Sequence, residues 1–139
     1  MQHRAKFQQI QIAKHLDNSL PPVLDGGLQH AIVNLVKNAF DAMPRGGTLT
    51  ITTRSADGQV HVEIEDTGSG IPEAIRSRIF EPFFSTKPIH QGSGLGLIIA
   101  KEVVERLGGA IEFTSRPGSG TTFRIRVPVA PAEGESNGA

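Results

Sequence analysis

Two asparagines one helical turn apart, Asn34 and Asn38, stand in the run "LQHAIVNLVKNAFDAM". Asn is a mediocre helix former because its amide competes for backbone groups, yet the i, i+4 spacing stacks both side chains on one face. Carbonyl oxygens aligned in this way help to hold a hard cation such as Mg2+, which keeps several waters and shares the oxygens of a bound phosphate. At about 100° per residue, His30, Lys37 and Asp41 fall in the same narrow arc; taken alone, those three read as a solvated stripe. Further along, "VEIEDTGSGI" puts Asp66 at the end of an alternating run, just before Gly68 and Gly70. An ionised carboxylate accepts hydrogen bonds and cannot donate, so Asp66 suits the exocyclic amine of adenine and repels the carbonyl of guanine. The alternative is an Asp that caps its own turn, the common role of D-x-G.

The third segment is "GSGLGL", with Gly92, Gly94 and Gly96 at alternate positions where a helix begins. Glycine costs roughly 1 kcal/mol against alanine in a helix interior, so its repetition here calls for close approach to the backbone. N–H groups at a helix start form an anion site, and these glycines let phosphate oxygens reach the main chain. The spacing is neither G-x-G-x-x-G after a strand nor a P-loop, since Leu97 stands where a P-loop has its lysine. A flexible linker ending in a glycine-rich cap is the competing description.

The elements that must position these residues follow from periodicity. Phe7 to Leu16 alternates imperfectly and predicts a first strand, closed by "DNSLPPVLDGG". Leu28, Ile32, Leu35, Ala39 and Met43 recur at helical spacing, which predicts a helix from Asp25 to Met43 with Asp25 as N-cap and "PRGG" as the stop. "TLTITTRS" and "QVHVEIED", joined by "ADG", predict a β-hairpin. "PEAIRSRIF" predicts a short helix with Pro72 at its first position. A helix over Leu95 to Leu107 ends at Gly108 and Gly109, and "AIEFTS" with "TTFRIRVP" forms a second hairpin around "RPGSG". The expected fold is α+β, a two-layer sandwich of one mixed sheet of about five strands with helices on one face.

The whole chain has 139 residues, 14 basic and 14 acidic side chains and no cysteine. That length suits one domain, and the balanced charge gives no sequence-wide field for nucleic acid or an anionic membrane. Disulfides and thiolate metal sites are excluded. No apolar run approaches a membrane span or the core of a signal peptide, so a soluble, cytoplasmic protein is expected. Residues 1–6 are expected to be a linker remnant, 7–128 the domain, and 129–139 a disordered tail without core-forming residues.

The three segments occur in order with "FEPFFSTK" between the second and third. In this the chain resembles, from about Phe7 to Val127, the catalytic ATP-binding domain of bacterial sensor histidine kinases, within the superfamily shared with gyrase, Hsp-type chaperone and mismatch-repair ATPases. "NLVKNAFDAM" looks like the N box, "DTGSG" the first glycine box, "FEPFFSTK" the F box and "GSGLGL" the second glycine box. The wording of "NAFDAM" and "FEPFFSTK" is closest to the nitrogen-regulation and oxygen-sensing type.

The resemblance implies the Bergerat ATP-binding fold and a set of roles. Asn38 is the Mg2+ ligand, with Asn34 close by; Asn34, Asn38 and Lys87 form the catalytic set. Asp66 reads the adenine amine, and Gly68, Gly70 and Ile71 line the base pocket. Asp41, Phe80, Leu95 and Leu97 complete the nucleotide's surroundings. Lys87 and the segment to Gln91 form a lid over the triphosphate, with Gly92, Ser93, Gly94 and Gly96 at its hinge. Phe80, Phe83 and Phe84 anchor the base of the lid, though as core aromatics they need no functional role.

In the hydrolysing relatives a Glu one turn before the metal Asn activates water, whereas this chain has Asn34 there. An amide cannot take a proton from an attacking water, but transfer to an imidazole rests on positioning and charge neutralisation. The resemblance therefore implies a histidine kinase using ATP and Mg2+. None of the five histidines, followed by Arg4, Leu16, Ala31, Val62 and Gln91, has the family's acceptor context. The implied partners are a dimerisation and phosphoacceptor domain absent from this chain and a downstream response regulator, with the domain itself a monomer cut from a longer kinase. Three other readings compete: a serine-directed kinase of the anti-sigma-factor kind, in which Asp41 is the only carboxylate of the arc able to act as base; a regulatory module that binds nucleotide without catalysis; and a clamp ATPase, which Asn34 disfavours.

Overall fold

The computed structural model describes residues 9–19, 26–82 and 96–130. Five strands, β1 (Ile10–His15), β2 (Gly47–Ala56), β3 (Gln59–Asp66), β4 (Ala110–Arg116) and β5 (Gly120–Pro128), form one sheet in the order β1-β2-β3-β5-β4. β1 lies parallel to β2 and every other pairing is antiparallel, so the sheet is mixed as expected. Two α-helices, α1 (Leu28–Asp41) and α2 (Gly96–Arg106), and a 3-10 helix (Glu73–Arg78) complete the described elements.

Alternation decides which face the helices cover. Val60, Val62 and Ile64 of β3 and Phe123, Ile125 and Val127 of β5 are buried, each contributing about 1.5–3 kcal/mol by leaving water. The intervening residues face outward and carry ion pairs such as Arg124–Glu63 at 3.7 Å and Arg126–Glu112 at 3.2 Å. The inward parity of β3 continues to Asp66 and that of β5 begins at Thr121, so the two polar residues buried in the core among the described residues, Asp66 and Thr121, sit side by side at one end of the sheet.

The helices pack antiparallel through small residues. Ala31 and Ala100 are both fully buried; a Cβ built on Gly27, before α1, would lie 3.5 Å from Val103, and one on Gly96, at the start of α2, 3.9 Å from Asn34 Cγ.

Boundaries differ from expectation in two places. α1 starts at Leu28, where Gly26 and Gly27 at positive φ turn the chain and Gly27 is the N-cap with no side-chain bond, and it stops at Asp41 with Ala42 as C-cap; Asp25 and Phe7 lie outside the described residues. "PEAIRSRIF" forms a 3-10 helix with Pro72 as its N-cap and not its first residue. Ile75 N–H reaches Pro72 O at 3.1 Å, the i→i+3 closure that suits a six-residue piece too short for a stable α-helix. α2 is described from Gly96, Leu95 lying outside, and ends at Gly108 and Gly109 as expected, in a Schellman motif: Gly108 at φ 86°, its N–H on Glu105 O and Gly109 N–H on Val104 O. The β2–β3 hairpin turns through Asp57 at φ 57° and Gly58 at φ 75°, the two left-handed residues that a tight D-G turn supplies.

Candidate functional site

Asp66 is 4% exposed. Its Oδ1 accepts the N–H of Gly68 at 2.8 Å and of Thr121 at 3.3 Å. Both bonds that Asp66 accepts among the described residues fall on Oδ1, leaving Oδ2 as the oxygen able to take a further donor. Burial pushes its carboxyl above the ordinary value of 3.8; the two N–H bonds oppose this, and neighbouring Glu65 adds to the rise. A buried acceptor whose ionised form is costly is one that gains from a donor arriving from outside.

The glycines after Asp66 have a cause that the sequence did not reveal. A Cβ at Gly68 would collide with the carbonyl of Ala42, and one at Gly70, held at φ 77°, with the carbonyl of Arg116. They bring the loop against the protein's own backbone: Ser69 N–H reaches Ala42 O at 3.2 Å, and Gly118 N–H reaches Ser69 O at 2.7 Å. The Asp66 loop is thereby docked on the C-terminal end of α1, one turn beyond Asn38, whose carbonyl accepts Ala42 N–H at 3.1 Å.

Along α1 the structure divides the polar arc. His30, Lys37 and Asp41 are exposed, whereas Asn34 and Asn38 are half-buried. Asn34 Nδ2 is buried without a hydrogen-bond partner among the described residues. An orphaned amide donor beside the start of α2 fits an anionic oxygen, such as one from a phosphate. Asp66, Gly68, Gly70 and Ile71 therefore gather at one end of α1, and Asn38, Asn34 and Gly96 follow along it. Phe80 packs edge-on against Phe113 and Phe123 at centroid distances of 6.1 and 6.4 Å, and Leu97 also packs against the core. Lys87, Gly92, Ser93, Gly94 and Leu95 lie outside the described residues, as do Phe83 and Phe84.

Three residues at the site were not foreseen. Thr121 adjoins Asp66; Ser115 Oγ accepts Ile71 N–H at 2.7 Å and lies 2.8 Å from Thr121 Oγ1. Arg76 clamps the same place, Nε on Ile71 O at 3.2 Å and Nη2 on Ser115 O at 2.9 Å. Inward parity within "TTFRIRVP" was the one available signal for Thr121; the bonds that tie Ser115 to Ile71 and Arg76 to Ser115 span 44 and 39 residues and left none. A cleft of about 490 Å³ opens here, lined among others by Asp66, Ser115, Arg116 and Thr121, and stops short of Asn34 and Asn38. Arg76→Met keeps the aliphatic stem and removes both clamp bonds. It is expected to lower unfolding stability by about 1–2 kcal/mol in denaturant titrations; an unchanged midpoint would show that the loop is held without the clamp.

Residues 25–131 match the family described as histidine kinase-, DNA gyrase B-, and HSP90-like ATPase. The chain belongs to this family. Within it, the relatives place the chain as a catalytic ATP-binding domain of the sensor-histidine-kinase type. It is 42% identical over 118 residues to the sensor kinase CckA of Brucella abortus, a match covering 74% of this chain and 12% of the relative. The solved catalytic domain of histidine kinase ThkA is 31% identical with a TM-score of 0.77, covering 91% of this chain and 84% of that one. Full-length ShkA in complex with AMPPNP is 33% identical with a TM-score of 0.79, covering 95% of this chain and 28% of that one. The chain thus spans a small part, 12%, 16% and 17%, of the first curated relatives it matches. The expected family and the two-layer architecture with a five-stranded mixed sheet both hold. Among the described residues no helix is long and apolar enough to cross a membrane.

Proposed function

We propose that this chain binds ATP with Mg2+ and transfers the γ-phosphoryl group to a histidine on a dimerisation and phosphoacceptor domain, in the cytoplasm, from which a response regulator is then phosphorylated. The observation that carries this reading is the alignment along α1 of a buried acceptor, Asp66, and a buried donor without a partner among the described residues, Asn34 Nδ2. A nucleotide is acceptor-seeking at its adenine amine and donor-seeking at its phosphates, so the two ends match it in polarity. ShkA, similar over 95% of this chain, is solved with AMPPNP, a non-hydrolysable relative of ATP.

In this reading Asp66 Oδ2 takes the amine, while Gly68, Gly70 and Ile71 wall the base. Asn34 Nδ2 donates to a phosphate oxygen. Asn38 Oδ1 holds Mg2+, which when bound neutralises phosphate charge. Phe80 and Leu97 support the floor from the core side. The resemblance assigns Lys87 and the glycines from Gly92 to Gly96 to the phosphates, and Asp41 to the rim. An imidazole nitrogen of the acceptor bonds to the γ-phosphorus as the bond to the β,γ-bridging oxygen breaks, ADP leaves, and phosphohistidine forms. Asn34 cannot draw a proton from water, which favours transfer over hydrolysis.

The test is a time course with labelled ATP, Mg2+ and this chain, alone and with a matching helical acceptor domain. Acid-labile label on the acceptor domain, lost when its histidine is replaced, is expected. Transfer between separate molecules is slow, because an intramolecular tether supplies an effective concentration of order millimolar. Label on this chain alone, or acid-stable label on a partner lacking its histidine, overturns the reading in favour of a serine-directed kinase.

A further inference from the structure

The bonds that join Ile71, Ser115 and Arg76 form a closed ring. Ile71 N–H donates to Ser115 Oγ at 2.7 Å, Arg76 Nη2 donates to Ser115 O at 2.9 Å, and Arg76 Nε donates to Ile71 O at 3.2 Å. Both main-chain polar groups of Ile71 are held in this ring, so its backbone cannot turn either way without breaking a bond. Gly70 before it is fixed too, at φ 77° where a Cβ would collide with the carbonyl of Arg116. The Ile71 side chain packs, partly buried, against the core.

Arg76 belongs to the 3-10 helix, five residues past Ile71, and is half-buried. A guanidinium is planar and always charged, with its N–H donors in a rigid fork, so one side chain holds carbonyls of two separate elements, the Asp66 loop and β4. Those carbonyls are neighbouring acceptors whose oxygens carry like partial charge. Without the cation between them they repel, and each is left without the donor that replaced water. Both effects drive Ile71 away from β4. The adenine reading makes Ile71 a wall of the base pocket and gives Arg76 no part in it.

We propose that Arg76 is a positioning residue of the nucleotide site: by drawing Ile71 O and Ser115 O onto one guanidinium it fixes the wall against which the base lies, and so sets affinity for the base end of the nucleotide and not for its phosphates. This rests on the adenine reading above. In that reading the phosphates belong to Asn34 and Asn38 on α1, and none of the ring's bonds reaches α1. A wall that is already in place lets the base bind without ordering the loop, which is the cost that preorganisation removes.

Calorimetric titration of the parent chain, Arg76→Met and Arg76→Lys with ATP and with inorganic tripolyphosphate, each with Mg2+, tests this. Tripolyphosphate carries the phosphates without the base, and the parent is expected to bind ATP the more tightly of the two. In Arg76→Met ATP affinity is expected to fall about tenfold, the scale of leaving the wall to be ordered by the ligand, with tripolyphosphate affinity unchanged. Arg76→Lys, which keeps the charge and a donor but not the fork, is expected to recover part of the loss. Removal of charge alone would weaken tripolyphosphate at least as much as ATP, and a general loosening of the fold would weaken both in proportion. Either result overturns the proposal, as does an unchanged ATP affinity. Should Arg76→Met not fold, Arg76→Lys decides: a lower ratio of ATP to tripolyphosphate affinity supports the role, and the parent ratio removes it. A parent that binds tripolyphosphate as tightly as ATP overturns instead the base-pocket reading on which the proposal stands.

Discussion

Asn38→Ala is expected to reduce transfer to an acceptor histidine by at least about a hundredfold, the scale of losing one group that holds charge in place at a transition state. The same substitution should make ATP affinity indifferent to Mg2+. Asn38 is only half-buried on the polar arc of α1, and alanine is the better helix former, so the thermal midpoint should not fall. That combination separates a metal-linked role from a structural one: inactive, folded and blind to Mg2+. Calorimetry with and without Mg2+ checks it, and an equal strengthening of ATP binding by Mg2+ in parent and variant would remove the metal role from Asn38.

Asp66→Asn sets binding against stability. The amide oxygen can still accept the N–H groups of Gly68 and Thr121, but an NH2 group takes the place of the acceptor that faces the adenine amine. Losing a hydrogen bond to a charged group costs about 1.5–3 kcal/mol, roughly ten- to a hundredfold in ATP affinity, and the donor now opposing the amine adds to this. Stability should move the other way. Because burial raises the folded carboxyl above 3.8, folding favours the protonated form; that contribution is complete below the unfolded value and is lost as pH rises through the folded one. At neutral pH the parent therefore carries the cost of an ionised buried carboxylate, and Asp66→Asn should melt higher there, the gain shrinking in acid. For the parent, ATP binding should weaken on acidification at a higher pH than an ordinary carboxylate would cause, while the variant lacks that step. Unchanged ATP affinity in Asp66→Asn would sink the adenine role; a lower melting point at neutral pH would mean that Asp66 is stabilising as an anion.

Much of this molecule is legible in its sequence because the signals are local. Alternation in "QVHVEIED" and "TTFRIRVP" specifies which side chains enter the core, helical spacing from Leu28 to Ala39 specifies the face of α1, and D-G at Asp57 and Gly58 specifies a hairpin turn, since each depends only on bonds and neighbours within a few residues. The i, i+4 asparagines and the D-x-G-x-G loop are legible for the same reason. Local pattern also separates neither Asn34 and Asn38 from His30, Lys37 and Asp41 on one arc, nor a glycine required by a ligand from one required by the protein. Those were decided in three dimensions. The two amides are half-buried, with the start of α2 at Gly96 set beside Asn34 and Asn34 Nδ2 without a partner among the described residues, while the other three stay in solvent. Docking of the Asp66 loop on Ala42 and Arg116 is what excludes a side chain at Gly68 and Gly70. Ser115 on β4, at the sheet edge beside β5, meets Ile71 and Arg76 across 44 and 39 residues of chain. A hydrogen bond is indifferent to that separation, and a periodic pattern carries no trace of it.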